Sequence, residues 1–435
     1  MYLASSFAIL LQELAILMTS PSFDNLTVVI TGWVFAPRRT VTGMLVAAGQ
    51  AGLRHHSAFH RLFASARWSL DQMGLMVFRL LEGWLGEGAV LLAIDDTLAH
   101  KRGLKIFGVG MHYDGQLSSR GKSITRWSHN WVILGVIIRF PLWPDRPFTL
   151  PILFRLYLNE KSAAKHRRVY RTRPELAVEM LRLLCRLHKH RRFHAIADST
   201  YGGQSVLAHL PPNCDLTSRL VQQARLHGAV EPRNGKRGRP RKRGPKLPTP
   251  EQMLQGRARH VSLAVYGRTQ QARLCDTVAR LYHVPDRPVR VVAVEALRGG
   301  RGKEAFYSTC WEASAEEVLC WYSWRWSIEQ TIRDSKQHLG FEQPQGWTRR
   351  AVERTAPVAM LLYSLIVHWF ASEGHRHYRA LERPWYSQKK HASVADMLLT
   401  LRRESAHEQI FALGLSGPGS RKIQRMVDHL LQTAA

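Results

Sequence analysis

Residues 314–340 carry the sequence SAEEVLCWYSWRWSIEQTIRDSKQHLG, which predicts a single long helix. Ser314 is a favourable N-cap, and Glu317 three residues later completes the pattern of a capping box. The run contains no proline, and Gly340 is of a residue type that commonly ends a helix. We therefore expect one uninterrupted helix between these two ends.

One face of this helix is polar. Tyr322, Arg325, Glu329 and Lys336 are spaced so that, at about 100° per residue, they fall within a sector roughly 60° wide. The carboxylate could bind a divalent metal while the two cations hold phosphates. The same residues could instead form a solvated face with ordinary charge pairs. An adjacent sector suits burial because it holds Trp321, Trp324, Ile328, Ile332 and Leu339.

The chain as a whole is strongly basic. Among its 435 residues, 62 Lys and Arg outnumber 33 Asp and Glu, which gives a net charge of +29. This excess indicates a polyanionic partner, most simply nucleic acid, and a strongly salt-dependent interaction. A membrane surface or an acidic protein is the alternative, but the positive charge is spread over the whole chain.

Cysteines and apolar segments indicate the compartment. The 5 cysteines are scattered without a C-x-x-C pair, which indicates reducing conditions, no disulfide framework and no zinc site. The apolar N-terminus lacks a basic region and contains Glu13, so it makes a poor signal peptide. Residues 356–370 are too short to span a bilayer comfortably and read as a buried helix. We therefore expect a soluble, cytoplasmic protein.

Two short apolar runs lead into carboxylates. Residues 90–94 read as a buried strand that ends in Asp95 and Asp96, and residues 193–197 read as a strand that ends in Asp198 and is followed by a helix to Leu210. Between them the pattern predicts strands at 131–138 and 148–158 and a helix at 174–187. This order is that of a ribonuclease-H-like core, which is an α/β fold.

The ends of neighbouring strands meet in the crevice where α/β sheets bind ligands. A single aspartate at such a place most often caps a turn. Here the carboxylates that follow two strands stand ahead of the helical Glu329, and three carboxylates that converge on one crevice are what a two-metal phosphoryl-transfer site needs.

Changes in composition and hydrophobic pattern divide the chain into five predicted parts. They are a helical N-terminal DNA-binding domain at 1–86, the first part of the ribonuclease-H-like core at 87–220, a β-rich basic insertion at 221–302, the second part of the core at 303–372 and a helical C-terminal region at 373–435.

Two of these parts suggest contacts with DNA. Residues 38–68 predict two short helices, compatible with a helix-turn-helix reader or with a simple packing domain. In the insertion, Arg237 and Arg239 lie in the sequence Arg-Gly-Arg-Pro, which matches the core of an AT-hook. A generic basic loop that binds phosphates is the alternative there. Strands of the insertion are expected at 261–265, 278–284 and 289–296.

The four polar residues of the helix fit the pattern Tyr-x2-Arg-x3-Glu-x6-Lys without a gap. In this the chain resembles the DDE transposases of bacterial insertion sequences, in the insertion-sequence-701-like branch, which is related to the insertion-sequence-4 and transposon Tn-five transposases. The resemblance extends from about Arg38 to the C-terminal helices, and the two aspartate-bearing strands agree with it.

The resemblance implies roles for individual residues. It indicates Asp96, Asp198 and Glu329 as the catalytic, metal-binding carboxylates, although Asp95 beside Asp96 stays open as the first of them. It implies further that DNA near the cleaved end is held by Tyr322, Arg325, Trp326 and Lys336, with Trp326 beside a flipped-base pocket. A second aromatic for that pocket has no clear match, and Phe306 is the nearest one.

The family also implies a reaction. Two Mg²⁺ ions, or Mn²⁺ in their place, would support cleavage at transposon ends and strand transfer into target DNA. The implied partners are the terminal inverted repeats, the target DNA and a second copy of the chain in a synaptic homodimer. Two other functions stay open: a domesticated DNA-binding protein without catalysis, and a ribonuclease-H-like nuclease that cleaves without joining.

Overall fold

The computed structural model describes residues 2–119, 121–230, 241–256, 258–265, 268–297, 302–380, 391–414 and 418–433. The described strands are β1 (Val90–His100), β2 (Gly110–Tyr113), β3 (Thr125–Ile138), β4 (Phe148–Tyr157), β5 (Phe193–Ala197), β6 (Cys214–Leu220), β7 (Leu226–His227), β8 (Lys246–Leu247), β9 (Arg259–Val265), β10 (Arg268–Leu281), β11 (Val284–Ala296) and β12 (Lys303–Ser308).

The longer helices frame these strands. They are α1 (Ser5–Gln12), α2 (Ser20–Phe35), α3 (Val41–Ala47), α4 (Ser57–Ala64), α5 (Leu70–Leu81), α6 (Glu160–Lys165), α7 (Arg173–Leu187), α8 (Gln204–Leu207), α9 (Pro250–Gln255), α10 (Ala315–Trp324), α11 (Trp326–Leu339), α12 (Arg349–Ser372), α13 (Val394–Ala412) and α14 (Pro418–Thr433). The chain is therefore a mixed α/β protein, as expected.

All these strands join one sheet. Its main path runs β2-β3-β1-β5-β6-β12-β11-β10-β7-β8, with β4 on β3 and β9 on β10. β5 is parallel to β1 and to β6, whereas the other pairs are antiparallel. The connection between the parallel strands β1 and β5 contains β2, β3, β4, α6 and α7. The predicted strands and helix of this part are present.

The β-rich insertion was predicted to interrupt the core, but its strands extend the same sheet. β12 pairs with β6 on one side and with β11 on the other. The strand predicted at 278–284 is wrong: it covers the end of β10, a turn and the start of β11, because β10 and β11 form one long hairpin. The basic run around Arg237 and Arg239 lies outside the described residues, so the AT-hook prediction is not addressed by the fold.

The first carboxylate pair is not at the end of its strand, contrary to the prediction. β1 continues to His100 because β3 pairs with it antiparallel along its whole second half, up to His100 opposite Ser128. Only the parallel pairing with β5 stops early, at Ile94 opposite Ala197. Likewise, the helix predicted after Asp198 is only a short 3-10 turn followed by the four-residue α8.

The single helix predicted over 314–340 is also wrong, since α10 and α11 are separated at Arg325. The capping box of Ser314 and Glu317 is present, and Gly340 ends α11 with φ 61° and ψ 40°. At the break the backbone tightens: the Arg325 N–H donates to the Tyr322 carbonyl at 3.2 Å. The Ser327 hydroxyl donates to the Trp324 carbonyl at 2.7 Å, and such side-chain bonds compete with the helical ladder.

Helix α12 forms the centre of the helical layer. It is long and apolar enough to cross a membrane, but 89% of its most apolar window is buried inside the protein. Around it the N-terminal helices share the hydrophobic core of the sheet. At Gly74 of α5 an added Cβ would lie 1.7 Å from the Ile152 carbonyl oxygen of β4, so helix and strand touch through their backbones. The division into five domains stays a prediction.

Candidate active site

The site forms where the parallel pairing of β1 and β5 ends. Asp95 follows Ile94, and Asp198 follows Ala197, the last residues paired between these strands. Side chains at equal register on neighbouring parallel strands point to the same face, so Asp95 and Asp198 extend side by side. Asp96, the next residue of β1, points to the opposite face. The alternation of the strand thus separates the two adjacent aspartates.

Arg325 joins Asp95 to the helical glutamate. Its Nη1 lies 3.1 Å from Asp95 Oδ2, and its Nη2 lies 2.6 Å from Glu329 Oε1. The side chains of Arg325 and Asp95 are only 12% and 17% exposed, so this ion pair is largely shielded from solvent. Arg325 can reach both partners because it stands at the break between α10 and α11, one turn before Glu329.

Burial and charge set the protonation of this group. Burial raises the pKa of Asp95 to about 7, Arg325 opposes the rise, and Asp96 and Asp198 add to it. Although burial lowers the pKa of Arg325, its neighbours Asp95, Tyr322 and Glu329 raise it overall, so the guanidinium stays charged. The Nε atom of Arg325 is buried and has no hydrogen-bond partner among the described residues.

Asp198 also has a local structural function. Its Oδ1 accepts a hydrogen bond from the Thr200 N–H at 2.9 Å, and so it caps the short turn at Ser199–Tyr201. Its backbone carbonyl accepts a hydrogen bond from the Ser218 hydroxyl of β6 at 2.8 Å. These contacts fix the position of Asp198 beside the open end of the β1–β5 pairing.

Asp96 has different neighbours on the far face of β1. Arg173 Nη1 lies 2.8 Å from its Oδ2, and the Tyr201 hydroxyl donates to its Oδ1 at 2.8 Å. Burial, together with Arg173, lowers the pKa of nearby His112 to about 4, while Asp96 opposes the change. Sequence reasoning missed Arg173 and Tyr201, because nothing in their local patterns points to a residue of β1.

The other signature residues are engaged within the protein. The Tyr322 ring is buried with its centroid 4.4 Å from that of Phe306, which places this aromatic of β12 beside the site. Lys336 Nζ donates to the Leu98 carbonyl at 2.6 Å and lies 3.3 Å from Glu342 Oε1. Trp326 is different, since its side chain is 41% exposed.

A cavity of about 930 Å³ opens beside these aromatic residues, and Phe306, Tyr322, Trp324 and Trp326 are among its lining. The Arg139 guanidinium lies 4.6 Å above the Trp324 ring. The cavity therefore combines aromatic rings with charged side chains of both signs, and Tyr322 and Trp326 link it to the signature residues, while Asp95, Asp198 and Glu329 are not part of its lining.

The carboxylates of Asp95, Asp198 and Glu329 are candidate metal ligands. Their oxygens are the donors that Mg²⁺ and Mn²⁺ prefer. Burial is the main cause of the raised pKa of Asp95, and Asp96 and Asp198 add to it, so a cation bound here would favour the ionised carboxylate. Within the described residues, however, no group of three His, Cys, Asp or Glu side chains is close enough to hold one ion. Arg325 lies between Asp95 and Glu329 instead. The carboxylate oxygens are therefore suitable metal ligands by their chemistry, but the Arg325 guanidinium sets the distance between these two carboxylates.

Comparison with known proteins agrees with this chemistry. A family described as DDE superfamily endonuclease matches residues 21–279, a span that includes both strand aspartates and ends before Glu329. A probable transposase for insertion sequence element IS701 from Microchaete diplosiphon is 26% identical over 153 residues. That alignment covers 35% of this chain and 36% of the relative, so it spans about a third of the relative's length.

Proposed function

The chain belongs to the DDE superfamily of endonucleases, and from that membership we propose that it is a transposase that cuts DNA at transposon ends and joins the cut ends to target DNA. One observation carries the proposal. Arg325 forms ion pairs with Asp95 and with Glu329. These contacts connect β1, the strand that bears the first aspartate, to α11, the helix that bears Glu329, beside Asp198 at the end of β5.

The first carboxylate ligand is either Asp96, which the family resemblance indicates, or Asp95. The geometry supports Asp95, because it shares a face with Asp198 and a cation with Glu329. Asp96 would then act as a support, since it ties strand β1 to Arg173 and Tyr201. We propose Asp95, Asp198 and Glu329 as the catalytic set and keep Asp96 as the alternative that the experiment below decides.

Asp95, Asp198 and Glu329 would hold two Mg²⁺ ions, and the chemistry supplied by such ions would be activation of the attacking oxygen and charge stabilisation at the leaving 3′-oxygen. Water first attacks the phosphorus of the phosphodiester at the transposon end, and the P–O3′ bond breaks to leave a free 3′-hydroxyl. That hydroxyl then attacks a target phosphodiester, which forms one new P–O bond and breaks one old bond. The first step forms a P–O bond to the water oxygen and breaks the P–O3′ bond, so the products are a 5′-phosphate and the free 3′-hydroxyl. The second step exchanges one phosphodiester for another and releases a 3′-hydroxyl of the target strand.

The residues of the signature would hold the DNA for these steps. Arg325 and Lys336 are cations beside the carboxylates, and both would contact phosphates near the cleaved bond. Tyr322 and Trp326 line the aromatic cavity in which a displaced base could stack. The partners are double-stranded DNA of the terminal inverted repeats and of the target, with a second copy of the chain, in the bacterial cytoplasm at the nucleoid.

A cleavage assay tests the proposal. Purified protein is incubated with DNA that carries its element's own ends, with Mg²⁺ or with EDTA, and Glu329→Gln is compared with wild type. We expect metal-dependent cuts at the ends from wild type alone, with end binding retained by the variant. The control is Glu373→Gln, which removes a carboxylate that pairs with Arg376 at 3.0 Å on the surface. Binding without cuts under any metal would favour the non-catalytic DNA-binding protein.

Two further comparisons refine the result. Asp95→Asn and Asp96→Asn are assayed side by side, and the first ligand is the one whose loss abolishes cleavage at every Mn²⁺ concentration. Addition of a target plasmid separates a transposase from a nuclease that does not join, because only a transposase gives products in which the ends are covalently linked to the target.

A further inference from the structure

A second basic site lies away from the carboxylates, where α4, α5 and α12 meet. It is an open pocket of about 380 Å³. Its lining contains three arginines and no acid: Leu17, Ala66, Arg67, Trp68, Ser69, Gln72, Arg350 and Arg354. Three guanidinium groups around one pocket repel one another unless an anion joins them.

Of the three arginines in this arginine pocket, Arg354 is the one whose side chain is held in place by hydrogen bonds. Its Nη1 donates to the Ala66 carbonyl at 2.9 Å, its Nη2 donates to the Trp68 carbonyl, and its guanidinium lies 4.4 Å from the centre of the Trp68 ring. These partners are carbonyls and an aromatic face, so none of them cancels the charge. Burial lowers the pKa of Arg354, the charge of Arg350 lowers it further, and Glu353 opposes the change.

Arg67 and Arg350 are exposed, and neither side chain has a hydrogen bond or ion pair with any described residue. The nearest acids along the chain are engaged elsewhere. Asp71 binds Arg155 through contacts of 2.7 and 2.9 Å, and Glu353 binds Arg349 at 2.9 Å. Glu353 also acts on Arg354, but the lining of the pocket itself holds three arginines and no carboxylate.

We propose that this arginine pocket binds a backbone phosphate of the DNA duplex, and the proposal rests on the DNA-processing function above. Arginine forks match the oxygens of a phosphate, and the pocket is large enough for one phosphate group. Arg354 is bonded to the carbonyls that follow α4, so a phosphate held here would lie at the C-terminal end of that helix.

A DNA phosphate bound in this pocket would position α4 on the duplex. The exposed surface of α4 and its preceding loop carries His55, His56, His60 and Arg61. A phosphate contact fixes the position of such a helix on DNA but carries no sequence information itself. The pocket should therefore contribute equally to binding of transposon ends and of unrelated duplexes.

The test uses the full-length chain and a fluorescent duplex of random sequence, with affinity measured over a series of salt concentrations. The variant Arg67→Ala/Arg350→Ala leaves Arg354 in its structural contacts. We expect affinity to fall about tenfold at low salt, and the slope of log K against log salt to decrease in magnitude by about 1, the value for one lost phosphate contact. Arg67→Lys/Arg350→Lys should recover most of the slope because it keeps both charges.

The matched control is Arg79→Ala/Arg186→Ala, which removes two exposed arginines that are not in the pocket lining. Equal affinity and slope for both double alanine variants would overturn the proposal, whatever the cleavage assay gives. Titration with inorganic phosphate separates the two sources of the anion. Saturation by free phosphate together with unchanged duplex binding in the pocket variant would identify a small-anion site and would also overturn it.

Discussion

Arg325 concentrates the electrostatics of the candidate site in one side chain. It is buried, it bonds Asp95 and Glu329 together, and it separates α10 from α11. In the chain without metal or DNA it acts as an internal cation for two of the proposed ligands. Its loss would leave the buried Asp95 carboxylate without a cationic partner, with only the Asp96 N–H donating to its Oδ1 at 2.8 Å. Proteins avoid an unpaired buried charge by protonating the acid.

This arrangement predicts a pH-dependent cost for Arg325→Gln. The pKa of Asp95 is raised from 3.8 to about 7, so the folded state favours the protonated acid, and the contribution of this group to stability declines as the pH rises from about 4 to about 7. Without Arg325 that pKa should rise further. We expect a loss of about 3 kcal/mol at pH 8 and a clearly smaller loss at pH 5, measured by urea unfolding. Equal losses at both pH values would mean that Asp95 stays charged throughout.

For individual residues, the sequence identifies the candidate functional residues, but it does not predict their contacts. The spacing of Tyr322, Arg325, Glu329 and Lys336 is local information, and it could be recognised without a structure. The Leu98 carbonyl that accepts from Lys336 lies 238 positions away along the chain. Such contacts depend on how β1 and α11 pack, which no local pattern specifies. For the same reason the side-by-side placement of Asp95 and Asp198 became visible only through strand register.

At the scale of elements, predictions succeeded where the determinant is local. The capping box of Ser314 and the left-handed C-terminal residue Gly340 are such determinants, and both are present. The break at Arg325 and the extension of β1 to His100 were not predicted. The break coincides with an ion pair to Asp95 of β1, and the extension follows from pairing with β3, and both partners are distant in sequence. Tertiary contacts thus changed the element boundaries and left the element types largely unchanged.

The end of α11 gives a prediction on stability. Gly340 has φ 61°, and an added Cβ would lie 2.7 Å from Gln343 Oε1 and 3.1 Å from Arg39 Cδ. Gly340→Ala should therefore destabilise the fold by about 1 kcal/mol or more, as measured by thermal and urea unfolding. The control is Gly83→Ala, since no atom lies within 4 Å of the position of its added Cβ. If both variants lost the same stability, the strain at Gly340 would not be the cause.

For the whole molecule, buried histidines connect stability to pH. Burial lowers the pKa of His112 to about 4, of His129 to about 3 and of His194 to about 4, from a usual 6.5. At these three histidines the unfolded chain therefore binds more protons than the folded chain between about pH 6.5 and pH 4. Their contribution to stability falls as the pH falls through this range, opposite in sign to the contribution of Asp95.

His129→Gln tests this linkage on one group. His129 Nε2 lies 2.8 Å from the Phe107 carbonyl oxygen, and a glutamine side chain can still donate a hydrogen bond there. We expect the loss of stability between pH 6.5 and pH 4.5 to become smaller by about 1 kcal/mol per pH unit, measured by urea unfolding across that range. His190→Gln, at an exposed position, controls for the substitution itself. An unchanged slope for His129→Gln would show that His129 takes up a proton in the folded state.

The N-terminal helices are joined to the catalytic part of the molecule at several points. Trp33 Nε1 donates to the Leu339 carbonyl at 2.8 Å, and Arg39 Nη2 donates to the His338 carbonyl at 2.7 Å, so both contact the end of α11. Phe78 of α5 lies against Phe193 of β5, with ring centroids 6.2 Å apart. The N-terminal helices therefore contribute to the hydrophobic core beside the sheet, in addition to any DNA-binding surface that they form.

Removal of residues 1–86 tests whether the predicted domain boundary is a folding boundary. The remaining chain would expose the faces of β4 and α12 that α5 and α4 cover, and such large apolar patches drive aggregation. We expect this truncated chain to lose cooperative thermal unfolding and near-ultraviolet circular dichroism. Gly74→Ala in the full chain should act in the same direction, because its Cβ would overlap the Ile152 carbonyl of β4. A soluble, cooperatively unfolding fragment would instead establish residues 1–86 as an independent domain that only docks on the sheet.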